Sequence, residues 1–116
     1  MPLDQADSCP VEGALRLLSG KWRLLVLFTL LKGSKRFSEL RKSLAPVTQK
    51  VLTVALRGLE ADGLVWRRVE GVVPPRVTYG LTAQAMALAP VFDALARWRL
   101  AATGDPRRPA ELADID

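Results

Sequence analysis

The apolar positions of this chain fall first into helical stripes and then into an alternating pair. Val11, Ala14, Leu15 and Leu18 recur at helical spacing, which predicts a first helix from Cys9-Pro10 to about Ser19. Pro10 suits its first position, and Glu12 stands three residues after Cys9, within reach of a free backbone N–H. Gly20 ends it. Residues 21–32 are apolar nearly all round, which predicts a central, buried helix closed by Gly33. From Lys35 to Leu44 the pattern turns amphipathic, with Phe37, Leu40 and Leu44 inward and Arg36, Glu39, Arg41 and Lys42 outward. Ala45-Pro46-Val47 makes a turn, and Thr48 is a good N-cap for a helix running to about Ala61. Leu52, Ala55, Leu56 and Leu59 form its core stripe, and Gln49, Lys50, Thr53 and Arg57 lie roughly opposite. Gly58 inside this helix costs ~1 kcal/mol relative to alanine, and close helix packing is one reason for it. Gly63 caps the end.

Residues 64–69 alternate and are rich in Val and Trp, so they read as a strand, with Arg76 to Leu81 as its antiparallel partner. The loop between them, 70–75, is stiffened by Pro74 and Pro75. Thr82 caps a last helix to about Ala102, in which Pro90 predicts a kink or break. Residues 1–8 read as a loose polar arm and 103–116 as a flexible tail, leaving one domain over 9–102. The fold class is mainly α with a small β-hairpin. Helix, turn, helix and basic strand pair, in that order, make a winged helix-turn-helix, a device for placing one helix in the major groove of DNA.

Charge supports that reading. The chain carries a formal +5, but residues 21–76 hold 12 Lys/Arg against 4 Asp/Glu, so the positive charge gathers on the helix-turn-helix and wing. DNA binding needs cations at phosphates and directional side chains at base edges. Gln49, Lys50, Thr53 and Arg57 suit base edges. Thr48 and the first-turn N–H groups can hold a phosphate. Arg36, Ser38 and Lys35, at the start of the preceding helix, are phosphate candidates. In the wing, strand alternation sends Arg67 and Arg68 to opposite faces. Arg68 and Arg76 join the expected DNA-binding set, with Arg76, beside the prolines, the stronger of the two.

Other chemistry finds little material. There is no histidine and one cysteine, which excludes His-based triads and zinc clusters, and no Gly-rich phosphate loop is present. The expectation is no enzyme, no metal and no cofactor. The longest apolar run, residues 24–31, is far short of the ~20 residues a membrane span needs, and no secretory signal is visible, so a soluble, cytoplasmic protein is expected. The rival reading is a winged fold that docks proteins rather than DNA; charge reversal at Lys50 and Arg57 separates the two.

Cys9 opens the first helix, where the positive end of the helix dipole favours thiolate and Glu12 opposes it. It reads either as an electrophile-sensing thiol or as a small buried cap. With no second cysteine, oxidation must give an intersubunit disulfide, a mixed disulfide or a higher oxide. On the last helix, Leu88, Val91, Leu95, Trp98 and Ala102 form a heptad seam, too short for an independent coiled coil. The first helix, with Val11 and Leu15, offers a second apolar surface beside it. A homodimer through these terminal helices would present two recognition helices to a palindromic site. A small-molecule effector between the dimer helices is left open.

Eight short motifs, in order, resemble one family: C-P-V-E at 9–12, G-K-W at 20–22, R-F-S-E-L at 36–40, K-x-L-T at 50–53, L-x-x-L-E-x-D-G-L-V at 56–65, V-P-P-x-V at 73–77, Y-x-L-T at 79–82 and P-V-x-x-x-L-x-x-W at 90–98. Together they resemble the HxlR family of bacterial winged helix-turn-helix transcriptional regulators. The resemblance implies a DNA-binding homodimer. It also implies redox or electrophile sensing, since some members sense through an N-terminal cysteine at the position of Cys9. Two positions depart from the family pattern: Ala85 stands where glycine is usual, and Pro46-Val47-Thr48 stands where Gly-Ile-Ser is frequent. Repression is the simpler mode of action, because a compact domain without an effector domain can act by occupying a promoter.

Overall fold

A computed structural model describes residues 9–102 and Arg107. The expected arm at 1–8 and, Arg107 apart, the expected tail from 103 onward lie outside the described residues. Helix α1 spans Pro10–Leu18 and α2 spans Lys21–Leu30. A two-residue strand, β1, follows at Lys35–Arg36 and leads into α3, Phe37–Ser43. Helix α4 is Gln49–Ala61; strands β2 and β3 are Val65–Glu70 and Arg76–Leu81. The last part divides into a single turn, α5, Ala83–Met86, and α6, Ala89–Ala101.

The α4 stripe forms as its spacing predicts: Leu52, Ala55, Leu56 and Leu59 are buried. They share the core with Val26, Leu27 and Leu30 of α2, Leu40 of α3 and Leu44 just after it, Leu64 just before β2, and Val65 and Tyr79 of the sheet. Helix α2 is less enclosed than its composition suggests. Phe28 is half exposed and rests against Phe92 of α6, with ring centroids 5.7 Å apart. Thr48 caps α4 by accepting the Val51 N–H at 3.2 Å. At the other end Gly63, at φ 77°, lets the chain turn back so that the Leu64 N–H reaches the Leu59 carbonyl at 2.9 Å. Thr82 ties this corner to the sheet by donating its hydroxyl to the Gly63 carbonyl at 2.7 Å, and it caps α5 by accepting the Ala85 N–H at 3.3 Å.

Two departures from the sequence reading have physical causes. The wing is not a bare hairpin: β1 pairs antiparallel with β3, giving a three-stranded sheet in the order β1-β3-β2. Two residues carry no readable periodicity, so only tertiary pairing makes β1 a strand. The helix expected from Lys35 therefore starts at Phe37, where Glu39 accepts the Arg36 N–H at 2.8 Å. The break expected from Pro90 falls at Ala87-Leu88, and Pro90 sits in the first turn of α6, where its missing N–H does no harm.

One glycine is explained by its neighbour and another is not. A Cβ on Gly80 would lie 2.1 Å from Cζ2 of Trp66, its partner across the ladder, so the indole lies flat over a residue that must lack a side chain. Gly58 is different. A Cβ there would meet the Arg23 guanidinium at 3.7 Å, an ordinary contact. Arg23 crosses α4 at this point to form an ion pair with Asp62, the residue that ends the helix. No helix packs tightly on Gly58, and the passing arginine does not require a glycine there.

Candidate nucleic-acid interface

One groove of about 830 Å³ lies between the start of α3, one face of α4 and the wing. Helical spacing places Gln49, Thr53, Arg57 and Glu60 along its α4 wall. Arg36 and Ser38 come from the β1–α3 junction, and Arg67, Arg76 and the two wing prolines close the far side. Phe37 and Tyr79, whose rings lie 6.4 Å apart, floor it and fix the junction against the sheet. Four arginines and one carboxylate thus share the lining. Among the described residues none of the four arginines is engaged in an ion pair. Unpaired guanidinium groups beside a helix carrying Gln and Thr can hold phosphates and present donors and acceptors to base edges.

Of the residues singled out from sequence, Arg36, Ser38, Gln49, Thr53, Arg57 and Arg76 come together in this groove. Thr48 stands at the mouth of α4 with its hydroxyl oxygen used in the cap. Lys50 is exposed on α4 but outside the lining, and Lys35 lies in β1 opposite Tyr79. The wing arginines are the correction. Alternation does separate them, but Arg67, not Arg68, faces the groove. Val65 is buried, so Arg67, two residues on, shares its face. Arg68 falls on the outer face between Trp66 and Glu70: its guanidinium lies 5.0 Å from the Trp66 ring and its Nε is 3.2 Å from the Glu70 carboxylate. Alternation separates the two arginines but does not by itself say which of them faces the groove. Gly80 was the available sign that Trp66 covers the outside. Glu60, present in the sequence motif at 56–65 but not among the expected DNA-binding residues, also lines the groove, three residues on from Arg57.

The terminal helices leave apolar surface open. Val11 and Leu15 on α1, and Val91, Leu95 and Trp98 on α6, are exposed, Trp98 by 74%. Ala102 is exposed at the end of α6. Leu88 departs from the expected seam: it precedes α6 and packs, partly buried, on the core beside Phe92. Neither α1 nor α6 contains a fully buried residue. Cys9 is the N-cap residue of α1, a free and exposed thiol, so the reading of it as a small buried cap does not hold. Among the described residues no helix is long and apolar enough to cross a membrane.

A helix-turn-helix with a sheet-built wing closing a basic groove defines a transcriptional regulator with a helix-turn-helix DNA-binding fold. The chain belongs to the HxlR-like helix-turn-helix family, whose model matches residues 17–105. It is 43% identical over 95 residues, 82% of this chain and 74% of the relative, to the HTH-type transcriptional regulator YdeP of Bacillus subtilis. Among solved structures it is similar to the redox regulator HypR in its oxidised form, with a TM-score of 0.73 at 39% identity over 84% of this chain and 100% of that one. It is also similar to the reduced form of the transcriptional regulator YodB from B. subtilis, with a TM-score of 0.72 at 35% identity, covering 84% of this chain and 98% of that chain.

Proposed function

We propose that this protein reads a specific double-stranded DNA site as a homodimer on a palindromic operator, and acts as a repressor. The observation that carries the reading is the single groove in which Gln49, Thr53 and Arg57 of α4 stand opposite Arg67 and Arg76 of the wing. Helix α4 enters the major groove by its first turns, the wing arginines and Arg36 hold the flanking phosphates, and Lys50 reaches the backbone from outside the lining. Two copies pair through the exposed apolar faces of α1 and α6, setting two α4 helices on half-sites one helical turn or a multiple apart. No catalytic role is assigned to any residue, and the cytoplasm is the compartment of action.

The exposed thiol of Cys9, together with the likeness to HypR and YodB, favours a redox-responsive form of the same regulator. Its oxidised state is an intersubunit Cys9 disulfide, a mixed disulfide with a small thiol, or a higher oxide.

The test is a titration of the protein onto the DNA upstream of its own gene, with excess competitor, reduced and after mild oxidation. Tight reduced binding that weakens steeply with salt supports the reader, because phosphate contacts release counterions. A flat salt response counts against it. Binding that oxidation abolishes in the native protein but not in Cys9→Ser assigns the sensor; binding indifferent to oxidation retires it. Charge reversal at Arg57 that leaves affinity unchanged favours a protein-docking fold instead.

A further inference from the structure

The groove contains one residue of the wrong sign for DNA. Glu60 lines it together with Arg57 and Arg67, and among the described residues its carboxylate holds no ion pair. It is exposed, so it serves no packing role. Along α4 it lies eleven residues beyond Gln49, or about 16 Å at 1.5 Å per residue. The helix enters by its first turns, and the major groove is only about 8.5 Å deep. When Gln49 and Thr53 stand at base edges, Glu60 therefore stands at the rim, level with the sugar-phosphate backbone. The carbonyl end of the helix dipole adds negative potential at the same place.

We propose that Glu60 is a specificity-determining residue that acts by repulsion, an inference that rests on the DNA-reading function above. On a matched site the contacts of Gln49, Thr53 and Arg57 hold α4 in one pose, with the carboxylate clear of the phosphates. On unmatched duplex nothing fixes the pose. Phosphates then approach Glu60 in many of the arrangements that the four arginines would otherwise favour. The carboxylate thus weakens unmatched binding more than matched binding, and discrimination arises from the arrangement that is penalised.

The experiment compares the native protein with Glu60→Gln and Glu60→Asp. Two probes are used: a duplex that the native protein selects from a random pool, and a scrambled duplex of the same composition. Affinities are read by fluorescence anisotropy across a salt series, with a thermal melt of each variant. Glu60→Gln is expected to tighten scrambled binding about five-fold and to steepen its salt slope by about 0.9, the effect of one charge at a phosphate. Matched binding should change less than about two-fold, so the ratio falls, whereas Glu60→Asp keeps the native ratio. Equal gains on both duplexes, or a loss confined to the matched duplex, overturn the proposal. So do identical effects of Gln and Asp. If the native protein selects no sequence at all, the DNA-reading function itself fails; if it selects well and the ratio ignores Glu60→Gln, only the role of Glu60 fails.

Discussion

Adding one methyl group to Gly80 should unsettle the wing. The Cβ of Gly80→Ala would lie 2.1 Å from Cζ2, 2.4 Å from Cε2 and 2.8 Å from Nε1 of Trp66. Carbon atoms in contact sit ~3.5–4.0 Å apart, so the indole must retreat by roughly 1.5 Å. The backbone at residue 80 is an ordinary strand, so crowding is the whole effect. Overpacking of this kind costs about 1–3 kcal/mol. Trp66 also carries the Arg68 guanidinium over its ring at 5.0 Å, a stacking worth ~0.5–1 kcal/mol at an exposed site. Trp66 is only partly buried and can swing toward solvent, which favours the middle of the range, about 2 kcal/mol. For a domain near 100 residues that is a drop in Tm of about 8–16 °C. The assay is a circular-dichroism melt at fixed protein concentration, in a double-mutant cycle with Trp66→Val. In the Trp66→Val background the added methyl should come within about 0.5 kcal/mol of neutral. An undiminished cost in that background would rule out the indole as the obstacle.

Gly58→Ala should do the opposite and stabilise the protein by up to ~1 kcal/mol, since it gains helix propensity and meets Arg23 only at 3.7 Å; a lower Tm would show that the Arg23 crossing has no slack. Arg67→Ala should weaken DNA binding by ~1–3 kcal/mol while Arg68→Ala changes it little, and the reverse order by titration would overturn the assignment of the wing faces. Trp98→Asp should separate the proposed dimer, because it puts a charge on the most exposed aromatic of α6; a persistent dimer by light scattering would move the interface elsewhere.

Long, strongly patterned elements were legible in the sequence. Thr48 and the stripe of Leu52, Ala55, Leu56 and Leu59 specify α4 by local rules, and Pro90 marks the start of α6 almost to the residue. What escaped depends on partners distant in the chain. Lys35 and Arg36 become a strand only because Tyr79 and Thr78 lie opposite. The face of Arg67 depends on which of Val65 and Trp66 is the core residue of β2, and only packing against the helices makes it Val65. Gln49, Thr53 and Arg57 reach the candidate groove as the stripe predicts, since one helix orders them. Lys50 is exposed on the same helix but outside the groove lining.

The break at Ala87-Leu88 has a mechanical consequence. Helix α6 is seated on the core near one end, through Leu88 and Phe92, and its remaining turns stand free. It is therefore a lever pivoted at Leu88. Thirteen residues at 1.5 Å each give an arm of about 20 Å, so a tilt of about 10° sweeps the far end by about 3 Å. In a pair joined through α6, that sweep becomes a change in the spacing of two reading heads, while half-sites on DNA recur at a fixed pitch of about 34 Å. If the proposed dimer forms, a disturbance at its seam takes both heads out of phase with the duplex without altering either head.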